Sequence, residues 1–135
     1  MSTNSKSYQV SQAIANGPDT LVRTLYLSGS SAVGDTTLCA AKANHYYMIV
    51  AMHLTNSNSA AITYTIQNAT GATPPVSIPY LHLEKGVVTA LPFNPEGWFV
   101  TGVGNPLVLK CDNTGGGYNA IVREVYVPTK HPDLL

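Results

Sequence analysis

Short runs of alternating apolar and polar residues recur about every ten positions along this chain, separated by turn residues. Such alternation is typical of a β-strand with one buried face, because successive side chains point to opposite sides of the strand. No long stretch carries apolar residues at helical spacing without interruption by Gly, Pro or a β-branched run, so no helix is predicted. The pattern predicts nine strands, at residues 21–28, 36–41, 45–55, 60–67, 76–83, 87–93, 98–102, 107–112 and 118–127.

The segments between these strands are rich in Gly, Pro, Asn and Ser, as at 94–97 and 113–117. Gly supplies positive φ and Pro removes a backbone donor, so such clusters end strands. We predict an all-β antiparallel sandwich, jelly-roll-like, with about eight or nine short strands, and a small barrel as the alternative. The sandwich is expected over 20–128. The polar segment 1–19 is predicted to be an extended arm and 129–135 a tail, because neither can form a core alone.

One predicted strand is apolar on both faces. Its two rows are Tyr46, Met48, Val50, Met52 and Leu54, which we expect to face the core, and Tyr47, Ile49, Ala51 and His53. A solvent-exposed row would be polar, so the second row is expected to be covered, either by a loop or by another subunit. Tyr47, Ile49, Ala51 and His53 are therefore the candidate subunit interface.

Composition narrows the class of partner. Charged residues make up 10% of the chain, against roughly 25% in an average domain, and 7 basic residues balance 7 acidic ones. No cluster of Lys and Arg is present, so nucleic-acid binding is not expected. The longest apolar run, 46–54, is too short to span a membrane as a helix, and the N-terminus lacks the hydrophobic stretch of a signal peptide. Low charge favours assembly with other protein chains.

The four histidines do not form a metal-ligand set in the sequence. His45 and His53 share strand parity, but eight residues of strand separate them by about 27 Å, which is too far for one metal ion. His82 lies in another strand, where a cross-strand pair with His45 or His53 would be structural, and His131 lies in the tail. A zinc site needs three or four protein ligands, so no metal site is predicted.

Other catalytic signals are also missing. Cys39 and Cys111 lie in strand-like runs without CxxC spacing, which predicts buried free thiols rather than a disulfide or a redox site. The chain has no Gly-x-Ser-x-Gly elbow, and its three glutamates are scattered. We therefore predict no catalytic site and no cofactor. Trp98, after the turn 94–97, is interpreted as a core residue at a strand start; an exposed stacking platform for sugars or a protein interface is the alternative.

Two segments of the last third form a recognisable arrangement. They are LPFNPEGWF at 91–99 and GNPLVL at 104–109, followed by a final strand, NAIVREVYV, at 119–127. A Pro-containing turn that ends in Gly-Trp and leads into a Gly-Asn-x-Leu strand resembles small virion proteins of tailed bacteriophages, of the capsid cement or decoration type. The resemblance covers about residues 87–128, and the first half of the chain matches no family that we can name.

The resemblance implies a structural protein without an active site. Cement proteins are small β-rich domains, usually homotrimers, that bind the major capsid protein at joints between capsomers and stabilise the shell. The expected location is the capsid exterior, after synthesis in the host cytoplasm. Terminal arms are expected to become ordered on docking, which makes Lys6, Tyr8, Val10 and Ile14 the candidate capsid contacts. A head- or tail-fibre adhesin that binds host glycans is the main alternative, and a hydrolase with a scattered active site is the enzymatic one.

Overall fold

The computed structural model describes residues 21–69 and 76–128, and within these ranges the chain forms β-strands and no helix. Each of the nine predicted strands overlaps an observed one, so the all-β prediction is confirmed. The strands are β1 (Val22–Ser31), β2 (Gly34–Cys39), β3 (His45–Asn56), β4 (Ile62–Gln67), β5 (Val76–Leu83), β6 (Val88–Leu91), β7 (Phe99–Val100), β8 (Leu107–Cys111) and β9 (Gly116–Tyr126).

Two antiparallel sheets pack face to face. Sheet A has the order β1-β9-β3-β6, with the short β7 beside β6 on the same edge of β3, and sheet B has the order β2-β8-β4-β5. The chain is arranged like one long folded hairpin. From its tip to its ends, the paired strands are β4·β5, β3·β6, β2·β8 and β1·β9. Because that hairpin alternates between the sheets, the topology is the predicted jelly-roll-like sandwich.

The core lies between the inner faces of the two sheets. Strand β4 alternates as predicted, and Ile62, Tyr64 and Ile66 are completely buried. They meet side chains of sheet A such as Leu54 and Val122, which are also buried. Burial of one aliphatic side chain of this size contributes about 1.5–3 kcal/mol, so this interior is the main stabilising feature of the fold.

Turns occur where the Gly and Pro clusters predict them. Gly34, Gly86, Gly97, Gly104 and Gly115 all have positive φ, and each lies in or directly beside a predicted turn. At Gly97 both conformation and space matter, since φ is 87° and a Cβ atom would lie 2.5 Å from the Cγ atom of Met48. The turn 94–97 is therefore seated against strand β3.

Strand β3 contains an extra residue at its centre. Ile49 pairs with Val122 and Ala51 pairs with Ile121, so Val50 has no partner of its own in β9 and forms a β-bulge. On the other edge of β3, the Val50 carbonyl accepts a hydrogen bond from the Asn94 N–H at 2.7 Å. The loop before β7 thus binds the bulge from the side.

The bulge corrects the predicted faces of β3. Tyr47 and Ile49 face the core before the bulge, and Met52 and Leu54 face it afterwards, with exposures between 0% and 3%. The two predicted apolar rows assumed unbroken alternation, and one inserted residue reverses the parity. The strand therefore buries one continuous inner row, and its doubly apolar appearance in the sequence is largely a result of the bulge.

Candidate functional site

The outer face of sheet A is rich in apolar side chains. This face consists of the residues of β1, β9, β3 and β6 whose side chains point away from the core, as the strand register shows. Its central row joins Tyr26, Ile121 and Ala51 across three strands, and Val125 lies two rows away on the same face, beyond Arg123. Tyr26 is 77% exposed although it is a large aromatic residue in the middle of a strand. In the described residues no segment covers this row.

A shallow groove runs across this face. It has a volume of about 400 Å³ and is lined by residues that include Tyr26, Ala51, Ala90 and Ile121, with Ser28, His53 and Asn119 as polar members. The groove is open to solvent and mainly apolar. Its shape and lining suit an apolar side chain of another protein better than a small polar substrate.

The outer face of sheet B has the opposite character. Asp35 is opposite Lys110 in the register, and Lys110 is opposite Thr65. His82 contacts the Thr63 hydroxyl through Nδ1 at 3.0 Å and the Glu84 carboxylate through Nε2 at 2.9 Å. Among the described side chains of this face, Val108 is apolar and completely buried. The exposed positions described on this face, such as Asp35, Thr37 and Lys110, are polar, as expected for a face in contact with water. The outer face of sheet A is mixed, because Ser28, His53 and Asn119 are exposed on it as well as Tyr26.

Exposed aromatic side chains border the apolar face. Phe93 is 58% exposed and lies 6.0 Å from the guanidinium carbon of Arg123, a cation–π distance. Trp98 is 40% exposed, and its indole N–H donates to the Pro92 carbonyl at 2.7 Å. The interpretation of Trp98 as a core residue is wrong, because the next residue, Phe99, occupies the core at 3% exposure.

A buried carboxylate lies at the opposite corner, on the inner side of sheet A. Glu124 is 6% exposed, and its Oε1 atom lies 3.1 Å from Nε of Arg23 and 3.4 Å from Nζ of Lys42. The Tyr47 hydroxyl nearby donates to the Ala40 carbonyl at 2.6 Å, and burial raises the pKa of this phenol. These contacts satisfy the carboxylate within the chain, which indicates a structural role.

Both cysteines are free and buried, as predicted. Burial, with a smaller contribution from the Glu124 carboxylate, raises the pKa of the Cys39 thiol to about 11. The Cys111 thiol donates to the Asn113 carbonyl at 2.9 Å. At neutral pH Cys39 is therefore a protonated thiol, and thiolate is the nucleophilic form of cysteine.

The three histidines in the described ranges remain apart. His45 and His53 lie on sheet A, whereas His82 lies on sheet B, so the cross-strand pair considered for His82 does not form. Residues 21–69 and 76–128 contain no group of three or more His, Cys, Asp or Glu side chains that could hold a metal ion. Those same ranges contain no helix that is long and apolar enough to cross a membrane.

The candidate interface residues do not share a face. Tyr47 and Ile49 are in the core, while Ala51 and His53 lie on the outer face of sheet A. The prediction of one four-residue surface is wrong because of the bulge at Val50. A subunit contact at the remaining two residues stays a prediction. The predicted arm contacts Lys6, Tyr8, Val10 and Ile14, and the predicted tail, lie outside the described residues.

Sequence reasoning missed the residues that contribute most to the apolar face. Tyr26 and Ile121 were hidden in runs that are apolar at nearly every position, Leu25-Tyr26-Leu27 and Ala120-Ile121-Val122. Only the register shows which member of each run faces outward. A run without alternation in an antiparallel sheet is the available signal, and both of these runs carry it.

Comparison with known proteins adds little. No family model matches the chain, and no curated protein matches it. A solved structure of a Bacillus endospore appendage, described as belonging to a family of disulfide-linked pili, is similar at 11% identity with a TM-score of 0.43. The match covers 80% of this chain and 88% of that one. A likeness at this level carries no argument about function.

Proposed function

We propose that this chain is a non-enzymatic structural protein of a bacteriophage virion, a capsid cement protein that binds the major capsid protein through the outer face of sheet A. The observation that carries the proposal is the contrast between the two outer faces. Tyr26 and Ile121 line a mainly apolar groove on sheet A that is open to solvent, while the outer face of sheet B presents Asp35 and Lys110. The resemblance of 87–128 to phage cement proteins supplies the partner.

The physical basis of such a contact is burial of apolar area. Each square ångström of apolar surface removed from water contributes roughly 25 cal/mol before the costs of association are subtracted. One groove of about 400 Å³ offers a modest contact. On a capsid, several modest contacts held by one oligomer act together, because the second contact forms at high effective concentration. Cementing therefore requires no catalytic group.

The test is co-sedimentation with undecorated capsids of the cognate phage. Ile121→Lys places a charge in the groove, and Thr65→Lys places the same charge on the outer face of sheet B. We expect Ile121→Lys to weaken binding at least about tenfold, or ~1.4 kcal/mol, and Thr65→Lys to change it about twofold or less. Circular dichroism and melting temperature establish that both variants are folded.

Two results would overturn the proposal. One is absence of wild-type binding at every salt concentration tried. The other is equal loss of binding in both variants, which would mean that the outer face of sheet A is not the contact surface.

A glycan-binding adhesin is the second candidate, and the exposed rings of Phe93 and Trp98 favour it. Aromatic faces stack on the apolar side of sugar rings, and Arg123 beside Phe93 adds a hydrogen-bond donor. Trp98 is the only tryptophan, so indole fluorescence reports on this corner alone. Saturable quenching by host glycans that is lost in Phe93→Ala, together with no binding to capsids, would favour the adhesin.

A further inference from the structure

Strand β1 leaves one long edge of sheet A open. Its ten residues pair with β9 on one side, and no strand in the described parts of the chain pairs with the other side. The Leu21 carbonyl accepts from the Tyr126 N–H at 2.7 Å, and the unbroken register extends this pattern to every second residue. The alternate residues direct their N–H and C=O groups to the open edge: Val22, Thr24, Tyr26, Ser28 and Ser30.

The open edge of β1 lacks the features that usually prevent strands from pairing with other chains. It contains no Pro and no bulge, and its one charged residue, Arg23, is engaged by Glu124 at 3.1 Å. A long regular edge of this kind is a template for another strand.

The other edges of the two sheets are protected in different ways. Strands β6 and β7 have four and two residues, and β2 has a register shift after Thr37. Strand β5 contains Pro79 and two shifts. Among the described strands, β1 alone is long, regular and unprotected, so β1 is the edge on which a partner strand fits.

We propose that β1 pairs antiparallel with β1 of a second copy of this chain, about a two-fold axis at Tyr26. This register is the one that pairs all five outward-directed residues of each copy: Tyr26 with Tyr26, Thr24 with Ser28, and Val22 with Ser30. Each such pair exchanges two hydrogen bonds. A shift by two residues in either direction leaves outward-directed groups of both copies without a partner.

The side chains are self-complementary in this register. Leu25 lies opposite Leu27 of the second copy on the inner side, where both residues already contact the core. Arg23 lies opposite Gly29, so no two like charges meet. The exposed ring of Tyr26 gains its own symmetry mate as a neighbour, and cross-strand aromatic pairs stabilise antiparallel sheets. Tyr26, the central residue of the Leu25-Tyr26-Leu27 run, would thus lie on the two-fold axis, with a leucine pair on each side of it.

Pairing at β1 makes sheet A continuous across two copies and places their apolar outer faces side by side. A contact of this kind is isologous and gives an even number of copies, whereas the resemblance to cement proteins implies three. The inference does not depend on capsid binding, and the purified chain alone is enough to test it.

Oxidative cross-linking of Tyr26→Cys tests the register. Cα atoms of a hydrogen-bonded antiparallel pair lie about 5.5 Å apart, within the range of roughly 4.4–6.8 Å that a disulfide spans. We expect a dimer on a non-reducing gel that disappears on reduction. The native thiols do not interfere, because Cys39 and Cys111 are buried. Unsubstituted protein, treated in the same way, is the control and should remain a monomer on that gel.

Matched variants keep the result specific. Thr24→Cys alone should not link, because the two copies of residue 24 lie about 13 Å apart along the strands. A mixture of Thr24→Cys with Ser28→Cys should link. Self-linking of Thr24→Cys, or no link in Tyr26→Cys, would overturn the proposed register.

Light scattering provides an independent measurement on the unmodified chain. We expect twice the 14.3 kDa chain mass at high concentration, or a larger even multiple. Ser28→Pro should reduce this to a monomer without loss of the fold, because the N–H that proline removes points away from β9. A strict monomer or trimer of the wild type, or an unchanged oligomer in folded Ser28→Pro, would overturn the proposal.

Discussion

Substitution across the bulge of β3 provides a sharp test of how sheet A is built. Ile49 is completely buried, and Ile→Ala at such a site costs about 2–5 kcal/mol through lost burial and the cavity that remains. For a domain of this size, each 1 kcal/mol corresponds to roughly 4 °C in melting temperature. Ile49→Ala is therefore expected to melt about 8–20 °C below the wild type.

Three companion substitutions turn this into a test of the parity reversal. Met52→Ala should also cost about 2–5 kcal/mol, because Met52 is 3% exposed on the same inner row. Ala51→Ser and His53→Ala lie on the outer face and should each stay within about 0.5 kcal/mol of the wild type. In an unbroken strand, residues 49, 51 and 53 would share one face and their substitutions would affect stability alike, whereas residue 52 would lie on the other face. The bulge predicts that 49 and 52 behave alike.

The assay is urea unfolding followed by circular dichroism, with the slope m compared between variants so that changes in midpoint report stability. The reasoning is refuted if Ile49→Ala unfolds within about 0.5 kcal/mol of the wild type. It is also refuted if Ala51→Ser is as costly as Ile49→Ala. Either result would mean that Val50 does not interrupt the alternation.

Three further predictions concern buried polar groups. Asn56→Ala should lose about 3 kcal/mol in urea unfolding, because its amide donates to three main-chain carbonyls from a side chain that is 3% exposed; a loss below about 1 kcal/mol would contradict this. Glu124→Gln should cost about 1–2 kcal/mol, since Arg23 and Lys42 are half exposed and can be hydrated once the carboxylate is gone; no change would contradict it. Cys39 should resist alkylation in the native protein at pH 8, where about one thousandth of the thiol is ionised, and react rapidly in urea. Its raised pKa also means that stability holds below the unfolded value of 9.0 and falls as pH rises toward about 11, a decline that Cys39→Ala should reduce.

The strands and turns could be predicted because their causes are local. Alternation along β4 directly indicates which residues are buried, as Ile62 and Tyr64 demonstrate. Turn residues with positive φ, such as Gly86 and Gly104, need no knowledge of the rest of the fold. Even spacing of the strands limited the architecture to a β-sandwich or a small barrel, and a jelly-roll-like sandwich of two sheets is observed.

The side of the sheet that each residue of β3 faces could not be predicted, because it depends on contacts with residues distant in sequence. The bulge at Val50 depends on pairing with β9 and on the Asn94 N–H that binds the Val50 carbonyl. No single residue type marks that position. Phe99 occupies the core in place of the predicted Trp98 for a similar reason. The Pro92 carbonyl accepts the indole N–H of Trp98 and holds that ring at the surface. Each error changed a candidate site residue and left the fold prediction intact.

The candidate contact surface therefore lies mainly on the strands beside β3 and less on β3 itself. The sequence pattern suggested that β3 is covered on both sides, but the bulge accounts for Tyr47 and Ile49 without any partner protein. The outward apolar side chains that no bulge explains are Tyr26 on β1 and Ile121 on β9, which are paired in an unbroken register. Because Tyr26 belongs both to the open edge and to the groove, pairing at the edge would enlarge the apolar face instead of covering it. A chain assembled through β1 would present two copies of the surface proposed to bind the capsid side by side, so pairing at the edge would strengthen that contact through multivalency.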